Sequence, residues 1–166
     1  MPTFKINELS KAVKYAVKKV QVAVNEVLID EVANEVKVEE VSNIVIDVYS
    51  RITSGAYKRR YYDGGFGDEN NINARLEGDG KLVVSNDTPF NPYLNGVDGE
   101  LSENAGRGEG LDGLINYGDG WNGINYDWAA CGPTNYVEHT IQGFKSSGAC
   151  TNALKSGLKK RGFDVE

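Results

Sequence analysis

Apolar positions Ile6, Leu9, Val13, Val17, Val20, Val24 and Leu28 recur at spacings of three and four, the stripe of an amphipathic helix. Lys11, Lys14 and Lys18 fall largely off that stripe. A second series, Val32, Val36, Val41, Ile44, Val45, Val48 and Ile52, keeps the helical rhythm, with acids at Glu31, Glu35, Glu39, Glu40 and Asp47. Alternation such as Val36-Lys37-Val38-Glu39 also suits a strand. Length decides for helix, because neither Gly nor Pro interrupts residues 3 to 54. The pattern predicts one long helix, or two with a bend near Leu28 to Asn34.

After Gly55 the period changes. Ile72 to Glu77 and Lys81 to Ser85 flank Gly78-Asp79-Gly80 and predict a hairpin. Residues 87 to 110 are rich in Asn, Asp, Gly and Pro and read as a long loop, of the kind that orders against a partner. Leu111 to Tyr117 reads as a short helical turn, and Trp121 to Trp128 as an aromatic, extended piece. Pro133 suits the first turn of a helix whose stripe is Tyr136, Val137, Thr140, Ile141 and Phe144. Ser146-Ser147-Gly148 ends it, and a last helix from about Ala149 carries Ala153, Leu154 and Leu158, with cations near its C-terminus and a stop at Gly162. Together these predict an α+β protein: a long N-terminal helix or bent helix pair packed with a small antiparallel sheet and two C-terminal helices. One domain over residues 1–166 is expected, helical over 1–54, sheet and loop over 55–110, and mainly helical over 111–166.

The chain has 166 residues, 40% of them hydrophobic, enough for one modest core. Its apolar runs are too short for a membrane span, and its first residues lack a signal peptide's apolar segment, so no membrane partner is expected. Two cysteines, Cys131 and Cys150, without an export signal read as free thiols. The net charge of -6 is banded along the chain. Residues 1–20 carry five Lys and one Glu, residues 21–48 seven acids and one Lys, residues 51–60 four positives and no acid, and residues 63–120 twelve acids and three bases. Such bands are either ordinary solvated surface or complementary faces for subunits or partners. The acidic balance argues against nucleic-acid binding as the main task.

Candidate chemistry is sparse. A cysteine hydrolase needs a thiolate beside an imidazole, and Cys131, Cys150 and the single histidine His139 are the material for one. With a helix starting near Pro133, His139 would lie roughly 10 Å from Cys131 at a rise of about 1.5 Å per residue. Gly118-Asp-Gly-Trp-Asn-Gly123 has the letters of a dinucleotide fingerprint without the strand and helix that make it work. The acidic loop Asp63 to Asn71 misses the EF-hand spacing, and one His with two distant Cys builds no zinc tetrad. No cofactor, metal or catalytic residue is expected. Tyr57-Lys58-Arg59-Arg60-Tyr61-Tyr62 interleaves the residue types that stack on nucleic acid or anchor protein interfaces, and the neighbouring Asp63, Asp68 and Glu69 favour the interface.

From Val48 to Asn91 the order of parts resembles the head-tail joining and tail completion proteins of tailed bacteriophages. In that pattern a tyrosine, then Tyr-x-Arg-Arg, then a Gly-Gly-x-x-Asp-x-x-Asn-Ile segment lead into a strand and an Asn-x-Thr ending. The matching positions are Tyr49, Tyr57, Arg59, Arg60, Gly64, Gly65, Asp68, Asn71, Ile72, Asn86 and Thr88. Leu111 to Gly118, Ala153-Leu154 and Gly157 to Gly162 also fit, whereas Cys131 to Tyr136 departs from the aromatic, Pro-rich lead into the penultimate helix. The resemblance implies a non-enzymatic virion protein of the neck, assembled in the host cytoplasm. It implies a homo-oligomeric ring, a hexamer by tail symmetry, that joins the head connector to the tail tube and passes DNA without sequence-specific binding. Tyr49, Tyr57, Arg59, Arg60, Asp68, Asn71, Asn86 and Thr88 become its interface or structural residues. The rivals are a host-encoded binding module of similar fold and a cysteine hydrolase using Cys131 and His139.

Overall fold

A computed structural model describes residues 6–50, 63–88, 115 and 133–166, with side chains from residue 8 onward. It is α+β, with a long N-terminal helix, a two-stranded antiparallel sheet and C-terminal helices. The elements are α1 (Ile6–Val27), α2 (Ala33–Asn43), β1 (Ile72–Leu76), β2 (Leu82–Asn86), α3 (Tyr136–Ser147) and α4 (Ala149–Lys160). Contacts group them into two compact units, one of residues 1–35, 74–83 and 148–166 and the other of residues 36–73 and 84–147.

Near Leu28 to Asn34, where the sequence allowed a bend, lies a π-helical turn, Leu28–Val32, and a second one, Ile44–Tyr49, follows α2. The residues flanking both turns keep right-handed helical dihedrals, so the backbone stays helical from Ile6 to Tyr49. The cause is in the sequence. From Val24 the covered positions recur every fourth residue, through Leu28, Val32, Val36, Glu40, Ile44 and Val48. A strict four-residue repeat overshoots an α-turn of 3.6 residues, and the wider π turns absorb the excess. Two of the covered positions in this region, Glu40 and Asp47, are polar.

In the first unit, α4 lies against α1 and the turn after it. Gly157 is buried, and a Cβ there would stand 2.5 Å and 2.8 Å from the two Val27 methyls. Only glycine permits that approach. Arg161, at the end of α4, donates from Nη2 to Asp30 at 2.6 Å and from Nε to Glu26 at 3.2 Å, and Lys160 reaches Glu31 at 3.0 Å. These cations also complement the helix C-terminus. The hairpin tip is held to α1 by Asn25, whose Oδ1 accepts from Gly80 N–H at 2.9 Å and whose Nδ2 donates to Asp79 at 3.3 Å.

The hairpin register follows from two backbone bonds, Glu77 N–H to the Lys81 carbonyl at 2.9 Å and Asp87 N–H to the Asn71 carbonyl at 2.7 Å. Ile72 therefore lies opposite Asn86, and Leu76 opposite Leu82. Along β1, Ile72 is buried while Asn73 and Arg75 are exposed, the alternation of a half-covered strand.

The core of the second unit is Ile44, Val48, Phe66, Ile115 and Tyr136, with Tyr49 and Val137 packed on it. Phe66 and Tyr136 meet edge to face at 5.3 Å, a favoured aromatic geometry. Helix α3 begins at Tyr136, later than the expected Pro133. Thr134 is drawn to the Ile115 carbonyl, its hydroxyl donating at 2.9 Å, and Asn135 takes φ 54°, which no helix can include. The stop at Gly148 and the last helix from Ala149 fall as expected, with Gly148 and Gly162 both left-handed. Tyr57, Arg59, Arg60, the loop from residue 89 to 110, the aromatic piece 121–128 and Cys131 lie outside the described residues. Among the described residues, no helix is long and apolar enough to cross a membrane.

Candidate functional site

Residues 63–71 form a tight Gly-rich loop with Asp68 at its centre. Gly64 takes φ 67°, a left-handed turn that turns its N–H toward the carboxylate. Asp68 Oδ2 accepts that N–H at 2.7 Å, and Oδ1 accepts both Asn70 N–H and Asn70 Nδ2 at 2.9 Å. Asp68 thus caps the short 3-10 turn Glu69–Asn71. The backbone N–H groups of Asn70 and Gly64 hold the Asp68 carboxyl below the usual Asp range, because they stabilise its charged form.

The rest of the loop is tied down from three directions. Asn71 Nδ2 donates to the Gly65 carbonyl at 2.9 Å, closing the loop on itself. Tyr49, from the second π turn, accepts Gly67 N–H on its hydroxyl at 2.7 Å. Asn86, at the end of β2, donates from Nδ2 to the Phe66 carbonyl at 2.9 Å. Asn86 Oδ1 then accepts Thr88 N–H at 3.2 Å and the Thr88 hydroxyl at 2.5 Å, an Asx turn that ends the strand. Phe66, between these anchors, is pressed into the core against Tyr136.

Of the residues singled out in the sequence, Tyr49, Asp68, Asn71, Asn86 and Thr88 are therefore brought together, along with Gly64, Gly65 and Ile72. Asp68, Ile72, Asn86 and Thr88 are buried. Their polar atoms are turned inward and spent on backbone groups that would otherwise be orphaned. Tyr57, Arg59 and Arg60 lie outside the described residues.

A second polar contact joins the elements of this unit. His139 Nδ1–H donates to Asp47 Oδ2 at 2.7 Å, with the Asp47 side chain buried and the imidazole half exposed. Because α3 starts at Tyr136 and not near Pro133, His139 sits in its first turn. Sequence periodicity had placed Asp47 with the acids of the helix, and its burial was missed. The signal available was its place between Ile44 and Val48, two core positions. Cys150 is a free thiol, partly covered. Among the described residues, no three of His, Cys, Asp and Glu gather as ligands for a metal.

Fold and loop define a small α+β protein built around a Gly-rich loop that buried polar side chains lock in place. The chain belongs to the YomN family, whose family model matches residues 5–160. The family is associated with Bacillus phages and prophages, and the protein is phage-related. Comparison with curated proteins and with solved structures finds no match.

Proposed function

We propose that this phage-related protein is a non-enzymatic structural component of the neck, forming a homo-oligomeric ring that joins the head connector to the tail tube. The observation that carries the reading is the convergence of the resemblance residues. Tyr49, Gly64, Gly65, Asp68, Asn71, Asn86 and Thr88, scattered over forty positions of sequence, all serve one loop. A motif whose scattered positions do one structural task is a unit that descent would keep together, and membership of a phage-associated family supports the same reading. The partners are then other copies of the chain, the connector and the tail-tube protein, and DNA crosses the ring without being read. An acidic balance suits that passage, since a lumen that repels phosphate does not retain it.

Deleting the gene from the source phage tests this. Filled heads and finished tails should accumulate unjoined, and joined particles at the normal yield would contradict it. One observation favours a second reading. A buried carboxylate that orients an imidazole, as Asp47 does His139, is also how a hydrolase sets its general base. In that case Cys131→Ser would abolish a hydrolytic activity and leave particle assembly intact.

A further inference from the structure

Helix α1 is bare along its first half. Every residue from Glu8 to Val20 is exposed, on all sides of the helix, and burial begins only with Ala23 and Val27. The apolar positions of this helix follow a strict alternation of three and four. Ile6, Val13, Val20 and Val27 fall at the first position of successive heptads and Leu9, Ala16 and Ala23 at the fourth, with no polar residue among them. That period of 3.5 is the seam of a helix that packs lengthwise on another helix. From Leu28 on, the covered positions recur every fourth residue instead.

A helix already sits on the end of the seam, where Gly157 brings α4 against Val27. The first two heptads are open, with Leu9, Val13 and Val20 60%, 54% and 44% exposed. Charge stands clear of them. At 3.6 residues per turn Lys11 and Lys18 lie on the opposite side of the helix and Lys14 well off the seam, and only Lys19 borders it. Residues bordering such a seam select the partner by charge. Here they are Ser10 and Val17 on one flank and Ala12 and Lys19 on the other, which neither reject an identical helix nor call for an acidic one.

We infer that the open seam is filled by α1 of a second copy, running antiparallel. The direction follows from α4, which occupies the seam at Val27, so a second helix laid along the seam has to end before it. Only the N-terminus of another α1 ends there, because its other end runs on as helix to Tyr49. An overlap from Leu9 to Val20 sets Leu9 opposite the partner's Val20 and Val13 opposite the partner's Ala16, a larger residue against a smaller one in each layer. Lys19 then faces the partner's Ala12, and no like charges meet. The pair is twofold and closed. It describes the free chain and does not rest on the ring proposed above.

The test is the mass of the full chain in solution across a concentration series, by sedimentation equilibrium and native mass spectrometry. The parent should pass from monomer to dimer. Three variants are compared with it, all at exposed positions, with circular dichroism to verify that each remains folded. Val13→Asp places a charge in the seam and should weaken the dimer by about tenfold or more, whereas Lys18→Glu, on the opposite side, should leave it within about twofold. Ala12→Glu should tighten it by about threefold at low salt, because in the antiparallel pair alone it meets the partner's Lys19. A parent that remains monomeric throughout overturns the inference and leaves the seam to a different protein. A parent that forms a larger assembly overturns the twofold pair. A dimer indifferent to Val13→Asp is built through another surface, and one that Ala12→Glu fails to tighten is not antiparallel; either result overturns the inference.

Discussion

Asn86 ties the loop to the end of β2. It uses both ends of its amide, donating to Phe66 and accepting twice from Thr88, so no smaller or apolar residue replaces it. Asn86→Ala leaves a buried carbonyl and a buried N–H without partners. The expected cost is about 2 kcal/mol, read as a lower midpoint in urea unfolding at unchanged slope. Asp68 adds a dependence on pH. Its carboxyl is held below the usual Asp range in the fold by the N–H groups of Asn70 and Gly64. The stabilisation is therefore complete above the unfolded Asp range and is lost as pH falls through the lower, folded value. Unfolding free energy measured against pH should fall less steeply on the acid side in Asp68→Asn than in the parent, and identical slopes would remove Asp68 from the account. That these residues matter was legible from their motif. That they face inward was not, because burial of a polar side chain is decided by distant partners such as the Tyr49 hydroxyl and the Phe66 carbonyl.

At the scale of elements, the helical stretch to Tyr49, the hairpin and the final helix were all legible in apolar spacing and in glycine. The two π turns were not, since a stripe that repeats every fourth residue reads as an imperfect α-helix until the backbone is seen to widen under it. The start of α3 was misread for a different reason. Pro133 is a sound helix starter, yet Thr134 and Asn135 are committed to the Ile115 carbonyl and a left-handed turn. Gly157 is the element-scale contact most open to test. A methyl group there overlaps both Val27 methyls, so Gly157→Ala should destabilise by about 1 to 3 kcal/mol. Adding Val27→Ala should recover part of that loss, and additive losses in thermal melts would show that the close approach is not the cause.

For the molecule as a whole, the charge bands have two different fates. Acids at Glu26, Asp30 and Glu31 are matched by Arg161 and Lys160 of the same chain, so this part of the banding holds the first unit together. The basic first half of α1 is not matched in that way, and it is there that the apolar stripe is uncovered. Sequence displayed both bands equally. It could not separate them, because the matching residues lie over a hundred positions apart, and folding alone brings them together. Cryo-electron microscopy of the neck of the source phage decides where this phage-related chain sits in a particle. The neck should show a symmetric ring of this chain between connector and tail tube. Complete, infectious particles whose neck contains no copy of the chain would contradict it.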